Sequence, residues 1–421
     1  MEYFCVVIEY NKLQLKNGLC FIHVEDKSRT SIVLNTLYRV GARDEDEDRT
    51  GFAHLFEHLM FSGSANVPVF DKEVEEAGGQ NNAFTNNDFT NYYLVMPQEN
   101  VETAFWLESD RMFSLNINAN SLKVQQGVVV EEFKQRCYNA PFGMLWHHIR
   151  KSLYEKSSYR WPTIGLTFEH IEEASLEDVK SFYNKYYCPS NAIVSLVGNI
   201  SWARAQELAE KWFGSIESRS NRNTNTYISS EKRPPKTVEE SDLSPNPAIF
   251  LVWEGPSVKN LHESLCMELF AELLGGSDVS PLQMELVKKQ QIFNASECFY
   301  LKGLDEGMFI LYGILNEGIS FEMAKEGLFS EMNKLYNDVS VSERLVGVKN
   351  RISTQLLVER TQPMQIAQKL CYYENIDALS LINQETKILE NIDAKDIMTV
   401  SKNVLNPEIF QTILYTPKSN V

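Results

Sequence analysis

His54 and His58 stand four residues apart in the segment GFAHLFEHLMF (residues 51–61), with Glu57 directly before the second of them. Four residues of α-helix turn through about 400°, so both imidazoles leave one face within a single turn, spaced to bind one Zn2+. Glu57 lies beside His58 and three residues from His54. Its carboxylate can reach a water at such a metal and take a proton from it, the work of a general base, without being a ligand itself. The plainer reading is that both histidines are satisfied by ordinary hydrogen bonds. It must then explain three polar groups interrupting an otherwise apolar helix, where unpaired burial is costly. Thr50 is the expected N-cap of this helix, and Gly63 its stop.

Two histidines leave a catalytic zinc one protein ligand short. The other five (His23, His147, His148, His170, His262) form no recognisable pair with this helix, so a carboxylate is the natural third donor.

The elements that must position these groups are legible in outline. Alternation and apolar runs predict strands over 31–40, 88–96 and 192–196; helical periodicity predicts helices over 51–61, 101–112, 121–136 and 176–186. Residues 216–247, rich in Ser, Asn, Thr and Pro and nearly free of aliphatics, read as a linker close to the midpoint. The expected organisation is 1–215, a linker at 216–247, and 248–421. The halves echo one another. IVLNTLYRVG followed by GFAHLFEHLMFSGS has a counterpart in AIFLVWEGPSVKN followed by LHESLCMELFAELLGGS, and matching Ser64 with Ser277 keeps the apolar positions roughly in register. Asp178 and Pro189 near the end of the first half are spaced like Asp396 and Pro407 near the end of the second. Two copies of one α+β domain are the simplest account. The positions matching the histidine motif are then about Met267, Phe270 and Ala271, which cannot hold a metal.

At 421 residues the chain exceeds one ordinary core, in keeping with two domains. Forty Lys and Arg against 57 Asp and Glu give a formal charge of -17, which repels a polyphosphate backbone, so no nucleic-acid partner is expected. Seven scattered cysteines without CxxC spacing suggest neither a disulfide framework nor a thiolate zinc site. No run approaches the ~18 apolar residues of a membrane span, and the N-terminus has no basic region followed by a cleavage site. The expectation is a cytoplasmic chain with no membrane partner.

Beyond the HxxEH motif, GGQNNAFTNNDFTNYYLVMP and VVVEEFKQR follow in the order and at about the distances found in the inverzincin zinc peptidases, the group of pitrilysin, insulin-degrading enzyme and the mitochondrial processing peptidase. The chain resembles that family over essentially its whole length, most strongly in residues 30–200, and is most similar to the short bacterial-type two-domain subunits. The resemblance implies two homologous α+β domains, each a mainly antiparallel sheet flanked by helices. It implies a zinc endopeptidase acting on unfolded or short peptides, with one Zn2+ per chain held by His54, His58 and Glu132. Periodicity alone leaves Glu131 and Glu132 equally placed, and Val128–Val130 even favours a strand. The resemblance further implies that Asn82, Ala83 and Phe84 lie on an edge strand that pairs with the substrate backbone; read locally, the same residues are an Asn-rich turn that begins a strand.

Two positions depart from the family pattern. Gln125 stands where a supporting glutamate is usual, seven residues before Glu132, and an amide can still orient a ligand but brings no charge. In the second half, Val287 and Asn294 replace an Arg and a Tyr that hold the substrate carbonyl. By resemblance to the paired bacterial enzymes, the chain is the metal-bearing subunit of a dimer whose related partner supplies the Arg/Tyr pair. The alternative is a non-catalytic assembly subunit of the same fold.

Overall fold

The computed structural model describes residues 7–154, 156–219 and 234–418. They fall into two compact units, within Met1–Phe133, Trp161–Thr226 and Gln355–Glu385 for the first and Lys134–Arg160, Tyr227–Thr354 and Thr386–Val421 for the second.

The first unit holds a six-stranded sheet of β1 (Asn11–Gln14), β2 (Cys20–Glu25), β3 (Ser31–Tyr38), β4 (Gln80–Thr85), β5 (Thr90–Pro97) and β6 (Ala192–Gly198), in the order β1-β2-β6-β3-β5-β4. Only β2 and β6 run parallel. The second unit holds β7 (Lys236–Asp242), β8 (Ala248–Gly255), β9 (Phe293–Leu301), β10 (Gly307–Leu315) and β11 (Gln411–Pro417), in the order β7-β11-β8-β10-β9, with β7 and β11 its parallel pair. The series β2-β6-β3-β5-β4 and β7-β11-β8-β10-β9 thus share chain order, spatial order and pairing sense. That is the internal repeat written in topology, and the fold is α+β with two mainly antiparallel sheets flanked by helices. The echo near the end of each half has a local cause. Ser175 with Asp178, and Asp393 with Asp396, form capping boxes that start the helices Leu176–Tyr186 and Ala394–Val404.

Strand alternation distributes side chains to two cores. From β3, Ile32, Leu34 and Tyr38 enter one core with the helices near the histidine motif, while Val33 and Leu37 enter another on the opposite face. That second face is covered by the helix Pro363–Asn375, through Ile366, Ala367, Leu370 and Cys371. Ser195 Oγ donates to the Ala367 carbonyl at 2.8 Å and so ties β6 to this helix. In the second unit the corresponding face, Ala248, Phe250, Val252, Ile413 and Tyr415, is covered by Ile149 and Leu153 of the helix Leu145–Leu153. Each compact unit therefore takes a helix from the other half of the sequence, an exchange that local patterns cannot show.

Part of the expected linker has structure. Residues 220–233 lie outside the described residues, but Lys236–Asp242 is the edge strand β7, paired with β11. Its alternating charged sequence, KTVEESD, suits an exposed edge and carries no apolar strand signal. The valines of the VVVEEF stretch are helical, because Val129 and Val130 pack into the first core from the helix Ala119–Phe133, with Phe133 buried edge-on against Phe168.

A candidate metal centre

The histidine motif occupies the helix Phe52–Leu59, whose Phe52, Leu55, Phe56 and Leu59 fill the first core. Phe56 stacks on Tyr187 and Phe182, with ring centroids 4.7 and 5.4 Å away. With that face committed to the core, His54, Glu57 and His58 share the other. Behind the helix, Tyr92 Oη donates to the Phe56 carbonyl at 3.0 Å. The buried Arg111 guanidinium, paired with Glu108, lies 4.6 Å over the Tyr92 ring. Beyond the helix, Gly63 turns the chain at φ +97°, where a side chain would meet the Pro68 carbonyl. Asp110 then fixes the following loop by accepting from the Asn66 backbone and side-chain amides and from Ser64 Oγ.

The expected N-cap is not Thr50. Its hydroxyl lies 2.8 Å from His170 Nδ1 and accepts from the Leu166 amide at 2.8 Å. Gly51, at φ +88°, takes the cap position and has no side chain to offer. Glu45, from the preceding loop, accepts from the Gly51 and Ala53 amides at 2.8 Å each. Burial pushes its pKa up to about 8, against the pull of those two amides. The sequence hid this residue in an acidic run, DEDED, that reads as solvated surface.

Glu132 reaches the histidines from the helix Ala119–Phe133. Its Oε2 lies 3.2 Å from His54 Nε2 and 3.4 Å from His58 Nε2, whereas Glu131 is exposed. Glu57 Oε2 stands 3.5 Å from His54 Nδ1. Among the described residues, His54, His58 and Glu132 form one group whose donor atoms lie within 4.8 Å of one another. Tetrahedral ligands about 2.0–2.1 Å from a zinc are roughly 3.4 Å apart, so this donor set fits the ion in both chemistry and spacing. The local field points the same way. Burial lowers the His54 pKa, but Glu132 and Glu57 outweigh it and raise the value to about 9, so the pocket favours a positive charge. Burial acts to raise the Glu57 pKa, yet it lies below its ordinary value because His54, Thr85 and His58 favour the ionised form.

The remaining expected residues fall as follows. Gln125 is on the same helix as Glu132, and its amide donates to Ser62 Oγ at 3.2 Å. Asn82, Ala83 and Phe84 lie on β4, at the edge of the first sheet, and the strand ends at Thr85 beside Glu57. The Ala83 amide donates to Asn82 Oδ1 at 2.8 Å. In the second unit, Val287 packs on the core and Asn294 is exposed on β9.

Residues 22–160 match the family model described as Insulinase (Peptidase family M16), and residues 173–349 match the model described as Peptidase M16 inactive domain. The zinc protease PqqE of Helicobacter pylori is 30% identical over 336 residues, covering 78% of this chain and 74% of that protein. The chain belongs to peptidase family M16. Other family M16 relatives include a probable mitochondrial-processing peptidase subunit beta of Arabidopsis thaliana, 21% identical, with 94% of this chain and 75% of that protein covered. The crystal structure of a protease from Helicobacter pylori superposes with a TM-score of 0.90 at 25% identity, over 98% of this chain and 100% of that one. A Pseudomonas fluorescens structure titled as a peptidase M16 inactive domain shares the fold, with a TM-score of 0.86 at 15% identity over 98% of this chain and 99% of that one. No helix among the described residues is long and apolar enough to cross a membrane.

Proposed function

We propose that this M16 chain is a zinc endopeptidase acting on unfolded or short peptides. The observation that carries the reading is the convergence of His54, His58 and Glu132 from two helices, with the Glu57 carboxylate beside them. These three residues would hold one Zn2+, which when bound supplies a Lewis acid that polarises a carbonyl oxygen and acidifies water. Glu57 is ionised at neutral pH and takes the proton of the attacking water. It then delivers that proton to the departing amine as the C–N bond breaks. The edge of β4 supports an extended substrate: the outward Ala83 N–H is the kind of group that adds a peptide strand, with Asn82 Oδ1 giving way. Gln125 holds Ser62 and so steadies the turn after the motif helix.

The test is Glu57→Gln, which is expected to keep one zinc per chain and lower kcat by about 10³-fold. Undiminished turnover sinks the assignment. A chain that binds no zinc supports the assembly-subunit alternative instead.

The proposal includes a dimer. Val287 and Asn294 offer neither a guanidinium nor a phenol, so a related subunit would supply an Arg/Tyr pair. Weak cleavage by the purified chain, rising on addition of such a subunit, is the expected result; full activity of the chain alone contradicts it. The repeat units along the sequence are taken as 1–215 and 248–421, joined at 216–247. A reducing compartment such as the cytoplasm suits the six buried free thiols of the described residues, and thiol titration of freshly isolated protein checks it.

A further inference from the structure

The acidic run that precedes the motif helix begins with two buried carboxylates, Asp44 and Glu45. Asp46, Glu47 and Asp48 are exposed, while Glu45 is 6% exposed. Both of its oxygens are spent on the first turn of the motif helix, Oε2 on the Gly51 amide and Oε1 on the Ala53 amide. These are among the donors that an α-helix leaves unsatisfied at its N-terminus, and glycine at the cap position provides nothing for them. The loop that presents Glu45 is itself fixed. Asp44 Oδ2 accepts from the Gly41 amide at 2.9 Å, Trp161 Nε1 donates to the Ala42 carbonyl at 2.7 Å, and Tyr186 Oη donates to the Asp44 carbonyl at 2.7 Å.

A two-point bond to the residues immediately before His54 controls more than helix stability. The motif helix has eight residues, barely two turns, so the rotation of its first turn decides where His54 sits relative to His58 and Glu132. The donor spacing that fits zinc tolerates little displacement. We propose that Glu45 is a positioning residue of the metal centre, fixing the first turn of the motif helix and, through it, the place of His54. This inference rests on the zinc peptidase reading and names a residue that touches neither metal nor substrate.

The test compares wild type, Glu45→Gln, Glu45→Ala and the exposed control Glu47→Gln in the full chain. The readouts are zinc affinity by chelator competition, hydrogen exchange of the Gly51 and Ala53 amides, and kcat and KM on a peptide. Glu45→Gln keeps shape and one acceptor oxygen, so it is expected to fold with a cooperative melt. It should exchange both amides faster, bind zinc about 10-fold more weakly, and lower kcat with KM unchanged. Glu45→Ala should go further, and Glu47→Gln should match wild type. If the alanine variant does not fold, the glutamine variant decides. Wild-type zinc affinity and amide protection in folded Glu45→Gln overturn the inference and leave the zinc reading intact. A wild-type chain that binds no zinc brings down both.

Discussion

The helices Phe52–Leu59 and Leu261–Gly275 occupy equivalent places in the two units, each following the third strand of its five-strand spatial series. In the first, one face is core and the other carries His54, Glu57 and His58. In the second, the matching positions Met267, Phe270 and Ala271 are buried, and Met267 and Phe270 are fully so. The partner helices differ in the same sense. Ala119–Phe133 sends Glu132 to the two imidazoles, while Val341–Glu359 sends Arg351 to an exposed ion pair with Glu272. One scaffold thus carries the same pair of helices twice, in the same places of the chain order. Three polar donors meeting between them make a metal-sized cluster, whereas apolar residues at the same places make a core. The difference is sharp because a buried imidazole without partners is costly, and Glu132 and Glu57 provide them.

The comparison breaks most visibly at the donors. His58→Ala should abolish stoichiometric zinc binding in equilibrium dialysis, while Ala271→His should add no second zinc, since one imidazole on a packed helix lacks co-ligands. Next comes packing: Met267→Ala should cost about 2–5 kcal/mol in denaturant unfolding and leave zinc affinity unchanged. A smaller effect follows from Glu45. Its carboxyl has an ordinary value of 4.5 and is raised to about 8 in the folded chain, so the folded state holds that proton more tightly than the unfolded one. Metal-free stability should therefore be highest below about pH 4.5 as far as this group is concerned, and fall as pH rises towards about 8. Melting curves across that range should show Glu45→Gln flattening the fall. Smallest is Arg351→Ala, which removes a pair with both side chains over a third solvent-exposed or nearly so and should cost no more than about 1 kcal/mol.

Much of the site was legible because its chemistry is local. An i, i+4 pair of histidines on an amphipathic helix needs only helical geometry to share a face. The repeat was legible for a similar reason: strand alternation and capping-box residues recur at like spacing. What escaped reading depends on groups distant in sequence. Thr50 has the residue type of an N-cap, but His170 and the Leu166 amide claim its hydroxyl, and the cap falls to Glu45 instead. Lys236–Asp242 looks like linker and becomes a strand only because β11 offers it an edge. The helix Pro363–Asn375 carries no mark showing that it covers the sheet of the first unit.

By itself, then, the sequence determined the spacing of His54, Glu57 and His58, the twofold α+β repeat and the want of equivalent ligands in the second half, all properties of residue type and period. Only the tertiary structure decided which of two adjacent glutamates meets the histidines. Successive residues on a helix point about 100° apart, and the burial of Val129 and Val130 in the first core, with Phe133 buried beside them, turns Glu132 inward to His54 and His58 and leaves Glu131 exposed.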